Sequence, residues 1–324
     1  MNTEAWTARY TFNDILGVSR QLRQTIELAH HAARADYPVV LVGESGTGKE
    51  LIAHAIHSAS ARRRGPFVAV NCGMLCGEMA IPELCGYEPG SFTGADRHTH
   101  QGFFDAAQEG TLFLDEFQDL PPTPQSVLLR FLETGRFVRV GGTQQVHCGL
   151  RVVVATNLPV EELSDGRIRS DLIYRLNCLS IEIAPLRDRR QDIRPIAEKC
   201  LREELHYLGE VDDGMWQALE SCPYPWPGNA RELRNVLLRT ILVSSRDRLM
   251  AADLPSELWH RSQLARGIKR GDNNSGSNPG DGAIVALKAV FDASHHNVSE
   301  TARRLGIHRS TVYRRLRGEI RTKH

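Results

Sequence analysis

The chain has no long apolar run, no paired-cysteine signature and no surplus of charge of one sign. No window approaches the ~18 consecutive apolar residues that cross a bilayer. Residues Met1 to Asn13 carry Glu4 and lack the apolar stretch of a secretory leader. Membrane spanning and secretion are not expected, and the expected location is the cytoplasm. The seven cysteines, Cys72, Cys76, Cys85, Cys148, Cys178, Cys200 and Cys222, are odd in number and scattered. Without a C-x-x-C pair or matching histidine spacing they read as reduced thiols, which excludes a disulfide framework. Cys72 and Cys76 fall at a strand end and loop, where small buried side chains are a better reading than a metal clip. No internal repeat occurs. Hydrophobic residues at 41% and charged residues at 24% sit near the soluble globular average, which excludes a disordered or fibrous chain. The 324 residues allow about two domains.

The near-zero charge conceals an asymmetry. Forty Lys/Arg against thirty-nine Asp/Glu give +1 overall. Residues Ala283 to His324 hold nine Lys/Arg and three Asp/Glu, a local +6 that leaves −5 on the remainder. A basic tail on an acidic body points to a polyanion partner for the tail.

Between Tyr37 and Arg175 short β-branched runs alternate with amphipathic stretches: 38–42, 67–70, 112–114 and 152–155. Short buried strands separated by helical patterns imply an α/β fold, a parallel sheet with helices on its faces. After Pro185 the pattern turns wholly helical, with Ile193, Ile196, Ala197 and Cys200 at helical spacing. The stretch Gly271 to Gly280 is polar and rich in breakers, and cannot bury apolar surface. The expected organisation is a short segment 1–15, an α/β body 16–184, a helical subdomain 185–260, a flexible linker 261–282 and a helical tail 283–324.

Directly after the strand ending at Val42 come Gly43, Glu44, Ser45, Gly46, Thr47, Gly48, Lys49 and Glu50, followed by a helical pattern. The glycines let backbone N–H groups wrap phosphates at a helix N-terminus, and Lys49 reaches the β and γ phosphates. Glu50 replaces the usual Ser/Thr at Mg²⁺, so metal coordination relies more on other groups and water. A second strand ends in Asp115 and Glu116. Asp115 would hold Mg²⁺ and Glu116 would polarise the attacking water. A pair of acids at a strand end is undecided alone; with the glycine loop it makes ATP hydrolysis the leading reading. A third strand ends at Asn157, which could orient the water, although taken singly it reads as a turn residue. Arg169 and Arg175, distant from the loop in sequence, could act as arginine fingers on a neighbour's γ-phosphate if the chain forms a ring.

In the tail, small Ala302, the turn at Gly306 and inward Ile307, Val312 and Leu316 form a helix-turn-helix pattern. Its second helix presents His308, Arg309, Ser310, Thr311 and Arg314 to a major groove, with Arg303, Arg304, Arg315 and Arg317 available for phosphates. Patterning alone also fits a packing domain that binds no DNA.

Taken together, these motifs resemble the sigma-54-dependent transcriptional activators, bacterial enhancer-binding proteins of the AAA+ superfamily, from about Leu16 to the end. The distinguishing run is Gly90, Ser91, Phe92, Thr93, Gly94 and Ala95, similar to the family's G-A-F-T-G-A loop that touches sigma-54. Ser91 stands where the family has Ala, and the family's Glu50 variant of the phosphate loop is reproduced. The resemblance implies an AAA+ P-loop NTPase with a helical lid and a Fis-type helix-turn-helix, using ATP and Mg²⁺. It makes Asn71 a switch residue that pairs with Glu116, and Arg231, within Trp226 to Leu233, a sensor of bound nucleotide. Partners follow: the sigma-54 RNA polymerase holoenzyme, upstream enhancer DNA, and further copies in a ring, for which the family favours hexamers. The segment before Leu16 is too short for a sensory domain, so an inhibitory or co-activating protein is expected. The layout is similar to the phage-shock activator and, by preference, to the Hrp-type regulators of type III secretion genes. The alternative is a DNA-binding regulator whose AAA+ module senses nucleotide and oligomerises without touching sigma-54. An AAA+ unfoldase or helicase loader would not explain the tail.

Overall fold

The apolar run of residues 39–42, buried throughout, explains the centre of the molecule, because such a strand needs cover on both faces and partners on both edges. In the computed structural model, which describes residues 6–91, 98–163, 166–244 and 248–259, it has both. The α/β body runs α1 (Arg20–Arg34), β1 (Val39–Val42), α2 (Lys49–Ser58), β2 (Phe67–Asn71), α3 (Ala80–Cys85), α4 (Phe103–Ala106), β3 (Thr111–Asp115) and α5 (Pro122–Thr134). A hairpin of β4 (Arg136–Val138) and β5 (Gln145–His147) follows, then β6 (Arg151–Thr156), α6 (Val160–Leu163), α7 (Ser170–Leu176) and β7 (Ser180–Glu182). The main sheet has the order β2-β3-β6-β1-β7 and every pairing in it is parallel.

Alternation along the strands sorts the core into two layers. Val40, Val42, Val68, Val70, Leu112, Leu114, Val152 and Val154 face one side, against Phe104, Phe131 and Leu172. Val39, Leu41, Phe67, Phe113, Val153 and Ala155 face the other, where Ala29, Ala32 and Ala33 of α1 and Ile52, Ala53 and Ile56 of α2 cover them. The alanines let α1 lie close to the sheet. Ser19 opens that helix by accepting from the Leu22 N–H at 3.2 Å.

The lid runs α8 (Ile193–Lys199), continued by a π-helical turn Cys200–Glu204, then β8 (Glu210–Val211), α9 (Asp213–Ser221), α10 (Asn229–Val243) and β9 (Arg248–Leu249). It has its own core, centred on Met215, Leu219, Trp226, Leu233 and Leu237. The expectation of a wholly helical region after Pro185 is corrected by the two-residue parallel pairing of β8 with β9. The expected strands are all present, and two features went unseen: the edge strand β7 and the β4–β5 hairpin. The proposed linker 261–282 and tail 283–324 lie outside the described residues, as do Phe92, Thr93, Gly94 and Ala95.

Candidate active site

The body contributes a loop and two strand ends. At the carboxyl end of β1 the chain turns through Gly46 (φ +78°) and Gly48 (φ +104°), backbone conformations that disfavour any side chain. Gly48 is the N-cap of α2, so the loop's N–H groups and the positive end of the helix share one mouth. Lys49 is buried, and its Nζ donates to the carbonyls of Gly43 at 2.7 Å and Glu44 at 3.2 Å. Burial lowers the Lys49 pKa, opposed by the nearby carboxylates of Glu116 and Asp115. Burial likewise raises the pKa of Asp115, against the Glu116 N–H it accepts. Two groups of opposite charge thus both lose part of their hydration at one spot.

The lid closes over this loop with side chains and with one backbone bond, the Ala230 N–H donating to the Gly46 carbonyl at 3.0 Å. Arg187 grips the Glu44 carboxylate through two hydrogen bonds of 2.6 and 2.8 Å, and that pair holds the Glu44 pKa down. Asn229, fully buried, donates to Glu44 at 3.2 Å and to the Ser45 carbonyl at 3.0 Å, while its Oδ1 accepts from the Leu186 N–H at 2.7 Å. Arg189 donates to the Thr47 carbonyl at 2.8 Å, and Arg231 to Ser45 Oγ at 2.8 Å. Gly46 has no room for more: a Cβ there would lie 2.3 Å from the Gly228 carbonyl. Buried Asp192 fastens the lid to the start of α1 by accepting from the N–H groups of Val18 and Ser19 and from Ser19 Oγ, at 2.6–2.8 Å.

Between these parts lies a cavity of about 360 Å³ lined by Ser45, Gly46, Thr47, Gly48, Lys49, Glu50, Asp115, Glu116 and Arg231. Its apolar wall includes Ile15, Leu16, Leu22, Ile52, Ile183 and Ile196. The segment before Leu16 therefore does more than precede the body. Tyr10, Asp14 and Ile15 line the cavity, and the segment is laid down by the Arg9 N–H on His54 Nδ1 (3.2 Å) and by Ser58 Oγ on the Tyr10 carbonyl (2.9 Å).

Not every expected residue comes to the cavity. Glu44 turns its carboxylate to the lid, so its side chain ties the loop down and does not face a phosphate. Asn157 sits behind Glu116, its Nδ2 donating to Glu116 Oε2 at 3.4 Å. The expected pairing of Asn71 with Glu116 is not formed. Asn71 lies beside Asp115 in the β2–β3 register, but its Oδ1 accepts from the Gly73 N–H at 2.9 Å, while Glu116 (φ +50°) turns to Gln118. Arg169 and Arg175 are away from the cavity, on the surface. Arg169 pairs with Asp171 at 2.7 Å and Arg175 donates to the Leu132 carbonyl at 3.2 Å. Arg187, Arg189, Gln118 and Asn229 were missed, since nothing in their local sequence signals a partner more than a hundred residues away or two residues back.

Gly90 and Ser91 stand on a stem where Tyr87 and His100 exchange backbone hydrogen bonds at 3.1 and 2.9 Å, and where the Glu88 N–H reaches the Val140 carbonyl. The stem is thereby joined to the turn of the β4–β5 hairpin, and Ser91 packs on Gly141, where a Cβ would lie 2.4 Å away. Phe92 to Ala95, and His308, Arg309, Ser310, Thr311, Arg314 and Arg315 of the tail, lie outside the described residues. Among the described residues no group of three or more His, Cys, Asp or Glu side chains could hold a metal by itself. No helix among them is long and apolar enough to cross a membrane.

A glycine loop after β1, paired acids at the end of β3 and a helical lid define an AAA+ P-loop NTPase fold. Comparison with known proteins narrows this: residues 15–182 match the sigma-54 interaction domain, 187–269 the AAA+ ATPase lid domain and 285–317 the bacterial regulatory protein Fis family. The chain belongs to the family of sigma-54-dependent transcriptional activators. It is 38% identical over 308 residues to the sigma-54-dependent transcriptional activator SfnR of Pseudomonas putida, with 89% of this chain and 84% of that one covered. It is 38% identical over 312 residues to the acetoin dehydrogenase operon transcriptional activator AcoR of Bacillus subtilis, with 95% and 51% covered. The chain spans about half the length of several such curated relatives. Among solved structures, NtrX from Brucella abortus is similar, with a TM-score of 0.67 at 30% identity over 93% of this chain and 68% of that one.

Proposed function

We propose that the chain hydrolyses ATP and uses the work to remodel the closed complex of sigma-54 RNA polymerase at promoters it reaches from upstream DNA. The observation that supports this most is the single cavity into which the loop Ser45 to Glu50, Asp115, Glu116 and the lid residue Arg231 converge. The similar NtrX has been solved in complex with ADP and with ATP, which favours an adenine nucleotide. The donor set suits Mg²⁺ arriving with ATP: Asp115 Oδ1 accepts from the Glu116 N–H at 2.9 Å, and its other oxygen has no described protein donor. Bound there, the ion would neutralise charge on the phosphates. Lys49 would leave the loop carbonyls for the phosphates, Glu116 would take the proton of the attacking water, and Asn157 would hold Glu116 from behind.

Arg169 and Arg175 would serve a neighbour's site in a ring, for which a hexamer is the working stoichiometry; Arg169 must first exchange Asp171 for phosphate. Residues 90–95 would touch sigma-54, and His308 to Arg315 would dock the tail on enhancer DNA. An inhibitory or co-activating protein would regulate the ring. Type III secretion genes are the proposed targets on resemblance of layout alone, and genome-wide mapping of binding with and without sigma-54 tests them. The function itself is tested by ATP-dependent open-complex formation at a sigma-54 promoter with the full chain and Thr93→Ala. The variant is expected to keep most ATP hydrolysis and lose promoter opening. Unchanged opening would favour a nucleotide-sensing DNA regulator that does not contact sigma-54.

A further inference from the structure

The loss of the Asn71 to Glu116 pairing leaves a question about what orients the Glu116 carboxylate, and the geometry answers it locally. Glu116 occupies the left-handed region (φ 50°, ψ 49°) and begins a single 3₁₀ turn, 117–119. That turn brings Gln118 back under it. Gln118 Nε2 donates to Glu116 Oε2 at 2.6 Å, a short charge-assisted bond, and Asn157 Nδ2 donates to the same oxygen at 3.4 Å. Gln118 is only 7% exposed. Its Oε1 faces the Asn157 N–H at 3.4 Å, so one amide ties the β3 end to the β6 end. Oxygen Oε2 is thereby occupied, and Oε1 accepts from no described residue.

We propose that Gln118 is the positioning residue of Glu116 in this chain, taking the place that the resemblance gives to Asn71. By fixing Oε2 it leaves Oε1 as the oxygen that meets the attacking water, and through Asn157 it links that orientation to the neighbouring strand. Asn71 accepts the Gly73 N–H at its Oδ1 and forms no described bond to Glu116 through its Nδ2, so it has a subordinate part. The inference rests on ATP hydrolysis at this cavity.

The test is steady-state ATP hydrolysis by the full chain with Gln118→Met, which keeps the buried volume and removes the donor, beside Gln118→Ala and Asn71→Ala. Thermal melting and the affinity for a fluorescent ATP analogue are measured on each. Gln118→Met should lower kcat by about tenfold or more with KM for ATP changed by less than about twofold, at unchanged melting temperature. Gln118→Ala should lower kcat at least as much, and Asn71→Ala less than either. A Gln118→Met chain with wild-type kcat overturns the inference, as does a larger loss of kcat from Asn71→Ala, or a fall in kcat matched by lost affinity and a lowered melting temperature. A wild-type chain that binds ATP and does not hydrolyse it overturns the hydrolytic reading and the inference together, and is told apart by the wild-type control.

Discussion

The two sides of the cavity are built by different means. On the body side the loop from Gly43 to Gly48 acts through its backbone, shaped by positive-φ glycines and the start of α2, and its first residue is held by the neighbouring strand, the Gly43 N–H donating to the Thr156 carbonyl at 3.1 Å. On the lid side the contacts are mostly side chains: Arg187, Arg189, Asn229 and Arg231 reach across to Glu44, Thr47 and Ser45, beside one backbone bond from the Ala230 N–H to the Gly46 carbonyl at 3.0 Å. A backbone cradle is made once the sheet forms. A set of side chains can change partners, and in the proposed mechanism the lid side is the one that registers what the cavity holds.

The largest expected effect falls on the body side. Lys49→Ala should abolish ATP binding, because Lys49 is the cation held on the Gly43 and Glu44 carbonyls in the cavity wall, whereas Arg189 is engaged at the Thr47 carbonyl; equilibrium titration with ATP checks it. Next comes Asn229→Ala on the lid side, which leaves the Leu186 N–H and the Ser45 carbonyl without their partner. It should cost about 1–3 kcal/mol of stability and weaken nucleotide affinity without removing it, as denaturant melts with and without ATP would show. If Asn229→Ala were as severe for binding as Lys49→Ala, the contrast between the two sides would fail.

A pH effect should belong to the body and spare the lid. Buried His57, its Nδ1 against Thr111 Oγ1 at 2.9 Å, has its pKa lowered from 6.5 to about 4, mainly by burial. The unfolded chain takes up that proton near pH 6.5 and the folded chain does not until about pH 4. Stability is therefore full above pH 6.5 and falls as the pH drops through that window, by an upper limit of about 3 kcal/mol. Urea unfolding at pH 7 and pH 5 should show the loss in the wild type and a flatter dependence in His57→Asn. The smallest effect is expected from Glu44 and Arg187, both more than a third exposed. Arg187→Met should cost about 0–1 kcal/mol, and the difference should shrink in 1 M salt.

What could be read from the sequence follows the same division. The loop, the acids of β3 and the alternating strands are local patterns, and chain order places them together. The edge strand β7 is three residues long and carries a single buried position, Ile181, too short for periodicity to mark. The lid contacts depend on the turn at Trp226 and Asn229, both at positive φ, which aims α10 at a loop about 185 residues away; no spacing rule reports that distance. The pairing of Asn71 with Glu116 comes from resemblance, and the left-handed backbone of Glu116 turns its carboxylate to Gln118.

The most direct measurement is ATP binding and turnover by the full chain carrying Glu116→Ala. The expected result is affinity within about twofold of wild type with hydrolysis reduced by about 10²–10⁴, since in the proposed mechanism Glu116 acts on the water and Lys49 on the phosphates. Hydrolysis at the wild-type rate, or affinity lost together with turnover, would contradict the assignment of this cavity as an ATP-hydrolysing site.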